Sequence, residues 1–349
     1  MIKLKSNQKF DVTFRNCVYK NKKIFLFDSC NTIPMYLDMQ TCKFEIMQHV
    51  TVKQFRQNKI DLLVELNGYI YATEITGEYI WKICIDTGEI EYIKIDCNYK
   101  EDSNFVLMGT YGEKVYIFDC MGGVTIYNTV VKQITKIKIA ETICVGCKQK
   151  EKFILLTEDG RYFVEFDAKL DQYTPFENRE ISTQNIAHIV VEGEKIYILY
   201  KDGSILVASH SGKEFVIKNA CAYYSDEKGA SRLCLTKTEF IILPGCADDI
   251  VRVNRADYKT GVEKNYPLDF EYDTEKSNWL KYLGYCETEK EYFFACRSSQ
   301  YILRVAKENG ELNWIKSQIE SDKQFLFEYE TGYLRERKGY LNYMLKQLE

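Results

Sequence analysis

No stretch of the chain approaches the roughly 18 consecutive apolar residues of a membrane-spanning helix, so no such span is expected. The phosphate-cradling patterns GxxxxGK and GxGxxG are absent, as is the GxSxG turn of serine hydrolases. Nucleotide chemistry therefore lacks its usual signatures. Histidine is scarce, at three residues, which leaves little imidazole for acid–base or triad chemistry. An excess of one charge is also missing: 47 Lys+Arg against 51 Asp+Glu gives a net charge of −4, with Lys and Glu interspersed. No basic face advertises itself, so a nucleic-acid partner is not expected. Met1 to Ser6 has too few apolar residues for a secretory signal. The 13 cysteines are an odd number without such a signal, which points to reduced thiols and to the cytoplasm.

What the chain does contain is a repeat. Asn67 to Ile95 reads as three strands joined by tight turns, and the apolar run Ile60 to Leu66 before it supplies a fourth. The same plan recurs around equivalent positions of the second strand: Ile24, Ile70, Val115, Phe153, Ile196, Phe240 and Tyr292. Successive gaps of 46, 45, 38, 43, 44 and 52 residues match one propeller blade of four short strands.

The register has an internal check. Ten places before each anchor stand Phe14, Ile60, Phe105, Ile143, Ile186, Ala230 and Tyr282, all apolar. Eleven places before stand Thr13, Lys59, Asn104, Thr142, Asn185, Gly229 and Lys281, none of them apolar. That alternation is what a half-buried strand needs. Asp159-Gly160 and Asp202-Gly203 fall between the second and third strands, where a hairpin calls for positive φ. The fold class expected is all-β: a seven-bladed β-propeller of four-stranded antiparallel blades over residues 1–320. Residues 321–349 are expected to form a C-terminal extension, mostly an amphipathic helix packed on the propeller, with Leu334, Leu341, Leu345 and Leu348 on one face.

The Gly-x-Ile-Tyr and Asp-Thr-Gly-Glu-Ile cadence around Gly68 to Ile90, with Asn309 to Trp314 in the last unit, resembles bacterial quinoprotein-like and YVTN-type propeller repeats. The resemblance covers about residues 10–317 and implies the fold. Quinone-cofactor enzymes of that broad class use a calcium site, and no residue pattern here matches it, so no cofactor is expected.

Candidate site residues come from one column. Eight places before the anchors stand Leu62, Leu107, Val145 and Gly284 in four units, but Asn16, His188 and Arg232 in the others. Polar side chains in an otherwise apolar column must find partners or line a cavity, so His188 and Arg232 mark an expected site at the axial channel. Arg56, Tyr223, Tyr224 and Trp279 stand in long loops on the face formed by the D–A and B–C connections, as anchors for a ligand. Cys144 and Cys147 form the single CxxC pattern, but residues three apart on a strand point to opposite faces, so no metal site is expected there.

These observations rank a non-catalytic, intracellular scaffold for a protein or peptide first. A lyase or glycan hydrolase using His188 and Arg232, and a carbohydrate or small-ligand sensor, are the alternatives. Fold alone does not separate them.

Overall fold

The computed structural model describes residues 14–28, 34–47, 60–74, 78–95, 105–177, 181–209, 215–217, 229–245, 249–264, 266–270, 282–296 and 301–316. The C-terminal helix expected within 321–349 lies outside them, as do Arg56, Tyr223, Tyr224 and Trp279.

Blade 1 comprises β1 (Phe14–Lys20), β2 (Lys23–Asp28), β3 (Pro34–Asp38) and β4 (Lys43–Ile46). Blade 2 comprises β5 (Ile60–Leu66), β6 (Tyr69–Glu74), β7 (Tyr79–Cys84) and β8 (Ile90–Lys94). Blade 3 follows with β9 (Phe105–Tyr111), β10 (Lys114–Asp119), β11 (Gly123–Asn128) and β12 (Gln133–Lys138). In blade 4 stand β13 (Ile143–Gln149), β14 (Lys152–Thr157), β15 (Tyr162–Asp167) and β16 (Gln172–Glu177). In blade 5 stand β17 (Ile186–Glu192), β18 (Lys195–Tyr200), β19 (Ile205–Ser209) and β20 (Phe215–Ile217). Blade 6 is built from β21 (Ala230–Leu235), β22 (Glu239–Pro244), β23 (Ile250–Asn254) and β24 (Thr260–Glu263). Blade 7 is built from β25 (Tyr282–Glu287), β26 (Glu291–Cys296), β27 (Tyr301–Ala306) and β28 (Leu312–Lys316).

Each sheet is an antiparallel meander of four consecutive strands, so the all-β, seven-bladed propeller read from the repeat is what the chain forms. The register check also holds: the residue ten places before each anchor is the first of the innermost strand in all seven blades. One feature was invisible in the sequence. Every innermost strand carries a β-bulge just after its first residue, as between Ile186 and His188 or Ala230 and Arg232. The extra residue bends the strand and breaks the strict alternation of its side chains.

Seven apolar clusters fill the seven seams between blades. Between blades 3 and 4, Tyr116, Phe118, Phe153 and Phe166 pack with ring centroids 4.8 to 6.4 Å apart. Gly109 makes that packing possible, because a Cβ there would stand 2.3 Å from the Phe153 ring. Each fully buried large side chain contributes roughly 1.5–3 kcal/mol. The ring closes by the same device: Cys17, Ile24 and Leu26 of blade 1 pack on Cys286, Phe293 and Ala295 of blade 7, with no strand exchanged among the described residues.

The connections on the two ends of the ring differ. In the A–B hairpin of blade 2, Asn67 and Gly68 adopt φ of 52° and 80°, the paired positive values of a type I′ turn. At the B–C end, only the glycine of Asp159-Gly160 is left-handed, with φ of 70°. Gly160 also accepts a hydrogen bond from Ile181 N at 2.9 Å, and a Cβ there would meet Ile181 O at 1.9 Å. Gly122 takes Ile139 N at 2.9 Å in the same way, and Ala230 N donates to Lys201 O at 2.7 Å. The B–C turns of blades 3 to 5 are thereby stapled to the D–A segments that follow them.

Candidate functional site

The innermost strand of each blade bonds to its neighbour along one edge and turns the other toward the axis. The axial channel is therefore walled by backbone edges as well as side chains. It encloses about 1220 Å³, more than the 300–1,000 Å³ usual for a small-molecule pocket. Its lining runs from Asn16, Leu62, Leu107, Val145, His188 and Arg232 down to the A–B turn residues Lys237, Glu289 and Lys290. The cavity thus opens at the A–B turn end, opposite the face on which the sequence placed the loop anchors.

Asn16, His188 and Arg232 do come together around one wall of the channel. The sequence did not single out Tyr285, one place further along its strand than that column, yet it is the residue that joins His188 and Arg232. Its ring meets His188 edge-on at 5.7 Å between centroids, and the Arg232 guanidinium carbon lies 5.7 Å from the same ring. Burial holds the Tyr285 hydroxyl pKa well above the usual value. Burial, and then the charge of Arg232, pull His188 down to about 3, so its ring is neutral at pH 7. Burial also lowers the Arg232 pKa, although a guanidinium remains charged at any physiological pH.

His188 has a definite task in the fold. Its Nδ1 accepts the Leu233 N–H at 3.2 Å, which places the ring proton on Nε2. Leu233 belongs to the inner edge of β21, whose donors have no neighbouring strand to meet them. Two residues further on, Tyr292 of blade 7 accepts from Leu235 N at 3.2 Å and donates to Leu235 O at 3.1 Å. The inner edge of blade 6 is capped by side chains from the blades on either side.

The charged groups near the channel mouth are mostly spoken for. Glu65 pairs with Lys20 at 3.0 Å, Glu308 with Lys237 at 2.6 Å and Glu287 with Lys307 at 2.7 Å. Glu192 pairs with Arg255 and Glu291 with Arg304. The groups that shift His188 are Arg232 and the Leu233 amide.

The CxxC pair corrects the sequence reading. Cys144, Val145 and Cys147 all pack on the cluster between blades 4 and 5, because Cys144 is the extra residue of the bulge and breaks the strand's alternation. Both thiols are free, and burial raises their pKa, that of Cys144 to about 11. Among the described residues, no group of three or more His, Cys, Asp or Glu side chains is placed to hold a metal.

No protein-family model matches the chain, and no curated protein does. Solved structures match in shape. YCF48 bound to D1 peptide superposes with a TM-score of 0.63 at 9% identity, over 86% of this chain and 93% of that one. BamB from Moraxella catarrhalis gives 0.54 at 8% identity, over 82% and 80%. PorZ, a surface component of the type-IX secretion system of Porphyromonas gingivalis, gives 0.58 at 12% identity; 89% of this chain spans 39% of that protein. The shared feature is the propeller. Identities this low establish the fold alone, and at that level the resemblance to propeller repeats holds.

Proposed function

We propose that the protein is a non-catalytic, cytoplasmic binding scaffold that grips a protein partner on the face formed by the D–A and B–C loops. The observation that carries this reading is the stapled rim. Hydrogen bonds from Ile139 N to Gly122 O, Ile181 N to Gly160 O and Ala230 N to Lys201 O tie the B–C turns of blades 3 to 5 to the segments that follow them. A preorganised frame spares a binding surface the entropy of ordering its loops. Loop residues Arg56, Tyr223, Tyr224 and Trp279 belong by sequence to the same connections and carry the aromatic and guanidinium chemistry of binding hot spots. The nine described cysteines are free, in keeping with a reducing compartment. The YCF48 propeller, similar in fold, is bound to a peptide.

The enzyme reading has less support, since His188 already uses Nδ1 to cap a backbone amide. Cross-linking in living cells, with mass spectrometry of the products, tests the proposal. Partner cross-links should map to the loops at 49–58, 219–229 and 269–280 and weaken at least tenfold in the Tyr223→Ala/Tyr224→Ala double variant. Cross-links confined to the opposite end of the ring, or unchanged in that variant, would overturn it.

A further inference from the structure

We propose that Cys17 and Cys286 form a redox latch across the seam that closes the ring, oxidised to a disulfide by a low-molecular-weight disulfide that enters the axial channel. The innermost strands of neighbouring blades meet at matching positions. Across six of the seven seams, the residue six places before the anchor of one blade shares an apolar cluster with the residue seven places before the anchor of the next. Val18 meets Leu63 in this way, Cys147 meets Ile189, and Cys234 meets Tyr285. At the seam between blades 7 and 1 the two positions are Cys286 and Cys17, and no other seam has cysteine at both. Cys147 and Cys234 stand in the same column as Cys286, but each faces a side chain that offers no sulfur.

The two thiols already touch. A side-chain hydrogen bond joins Cys286 to Cys17, and β1 and β25 run side by side. Tyr19, two places along from Cys17, stacks on Phe293 with ring centroids 5.1 Å and planes 4° apart. A disulfide tolerates little misplacement of its two Cβ atoms, so a pair in contact, on strands pinned by a nearby stack, can bond with little movement of the backbone. Among the described residues no strand is exchanged between blades 1 and 7, so the bond adds a covalent tie where the ring opens. Its loop takes in all seven innermost strands, and a cross-link restrains the unfolded chain more the longer the loop it closes.

Cys17 is 4% and Cys286 7% exposed, and both line the cavity, so the channel is the way in for a reagent. One of the two, as thiolate, attacks a sulfur of the small disulfide; a mixed disulfide forms and a small thiolate leaves. The other thiolate then attacks the protein sulfur of the mixed disulfide, forming the bond between Cys17 and Cys286 and expelling the second small thiolate. Two electrons pass from the cysteine sulfurs to the reagent, and the two cysteine protons end on the departing thiolates. Burial raises the Cys286 pKa well above the usual value, so its thiolate is scarce at neutral pH and the exchange speeds up as pH rises. An excess of the small thiol runs the exchange backward and leaves both cysteines free, as they are in the structure.

Oxidised glutathione is the probe, added to the reduced full chain, with non-reducing peptide mapping by mass spectrometry and urea unfolding as readouts. The expected result is a disulfide between Cys17 and Cys286 formed in the folded protein, faster at about pH 9 than at about pH 7. The urea midpoint should rise with it, and dithiothreitol should restore the reduced value. Cys17→Ala and Cys286→Ala should each abolish the rise, whereas Cys147→Ala and Cys234→Ala should keep it. A folded chain that lacks this disulfide in excess oxidised glutathione, or forms it only in urea, would overturn the proposal, as would a rise in midpoint that persists in Cys286→Ala. Peptide mapping reads the wild-type chain directly, so the test stands even where a variant folds poorly.

Discussion

Two halves of the ring put different chemistry at the same strand position. In blades 2, 3 and 4 the residue eight places before the anchor is Leu62, Leu107 or Val145; in blades 5, 6 and 1 it is His188, Arg232 or Asn16. The backbone is alike in both halves, down to the bulge in each innermost strand. The first half places apolar side chains at this level, while the second caps its inner edge with hydrogen bonds from the side chains of neighbouring blades and places a cation against an aromatic ring. A repeat that needs only apolar filling for its fold has been given polar groups on one side of its axis. Polar groups buried at a cost and arranged around a cavity are where a ligand site is to be sought.

The largest effect should come from the apolar half. Phe153 is fully buried among three other rings, so Phe153→Ala is expected to cost about 3–5 kcal/mol in urea unfolding. A loss below about 1 kcal/mol would mean that the seam collapses freely and the halves do not differ in how they are held.

In the polar half, His188→Ala leaves the Leu233 amide without its acceptor and should cost about 1–3 kcal/mol. The same residue predicts a pH dependence. The folded pKa of about 3 lies below the ordinary 6.5, so the unfolded chain takes up the proton first as pH falls. His188 therefore destabilises the fold progressively from about pH 6.5 downward, until the native ring protonates near 3. Melting temperatures measured from pH 7 to 4 should fall less steeply in His188→Gln than in the wild type. Parallel curves would remove His188 as an acid-sensitive element.

The smallest effect should be at the rim. Lys237 and Glu308 pair at 2.6 Å, but their side chains are 68% and 72% exposed. Lys237→Ala should shift stability by no more than about 0.5 kcal/mol, and a larger change in urea unfolding would show that the mouth bears load across blades 6 and 7.

Much of the fold was legible in the repeat. The anchors and the apolar column ten places before them marked the starts of seven innermost strands, because a strand with one face against a neighbouring blade must alternate. The site was legible only in part. Asn16, His188 and Arg232 stood out as polar residues in an apolar column, and they do share one wall of the channel. Tyr285 did not stand out, because tyrosine is an ordinary residue on a strand and only its position between His188 and Arg232 sets it apart. The CxxC pair was misread for a related reason, since strict alternation on paper holds only where the strand has no bulge.

The sequence by itself determined the number of blades, their register and the turns between strands, all of which rest on contacts close along the chain and on a period of two. Tertiary structure decided the bulges, the capping of β21 from both sides, and the partners of each charge. The caps on β21 and the Lys237–Glu308 pair join residues 45 to 71 positions apart in the chain, which meet only when the blades are set side by side.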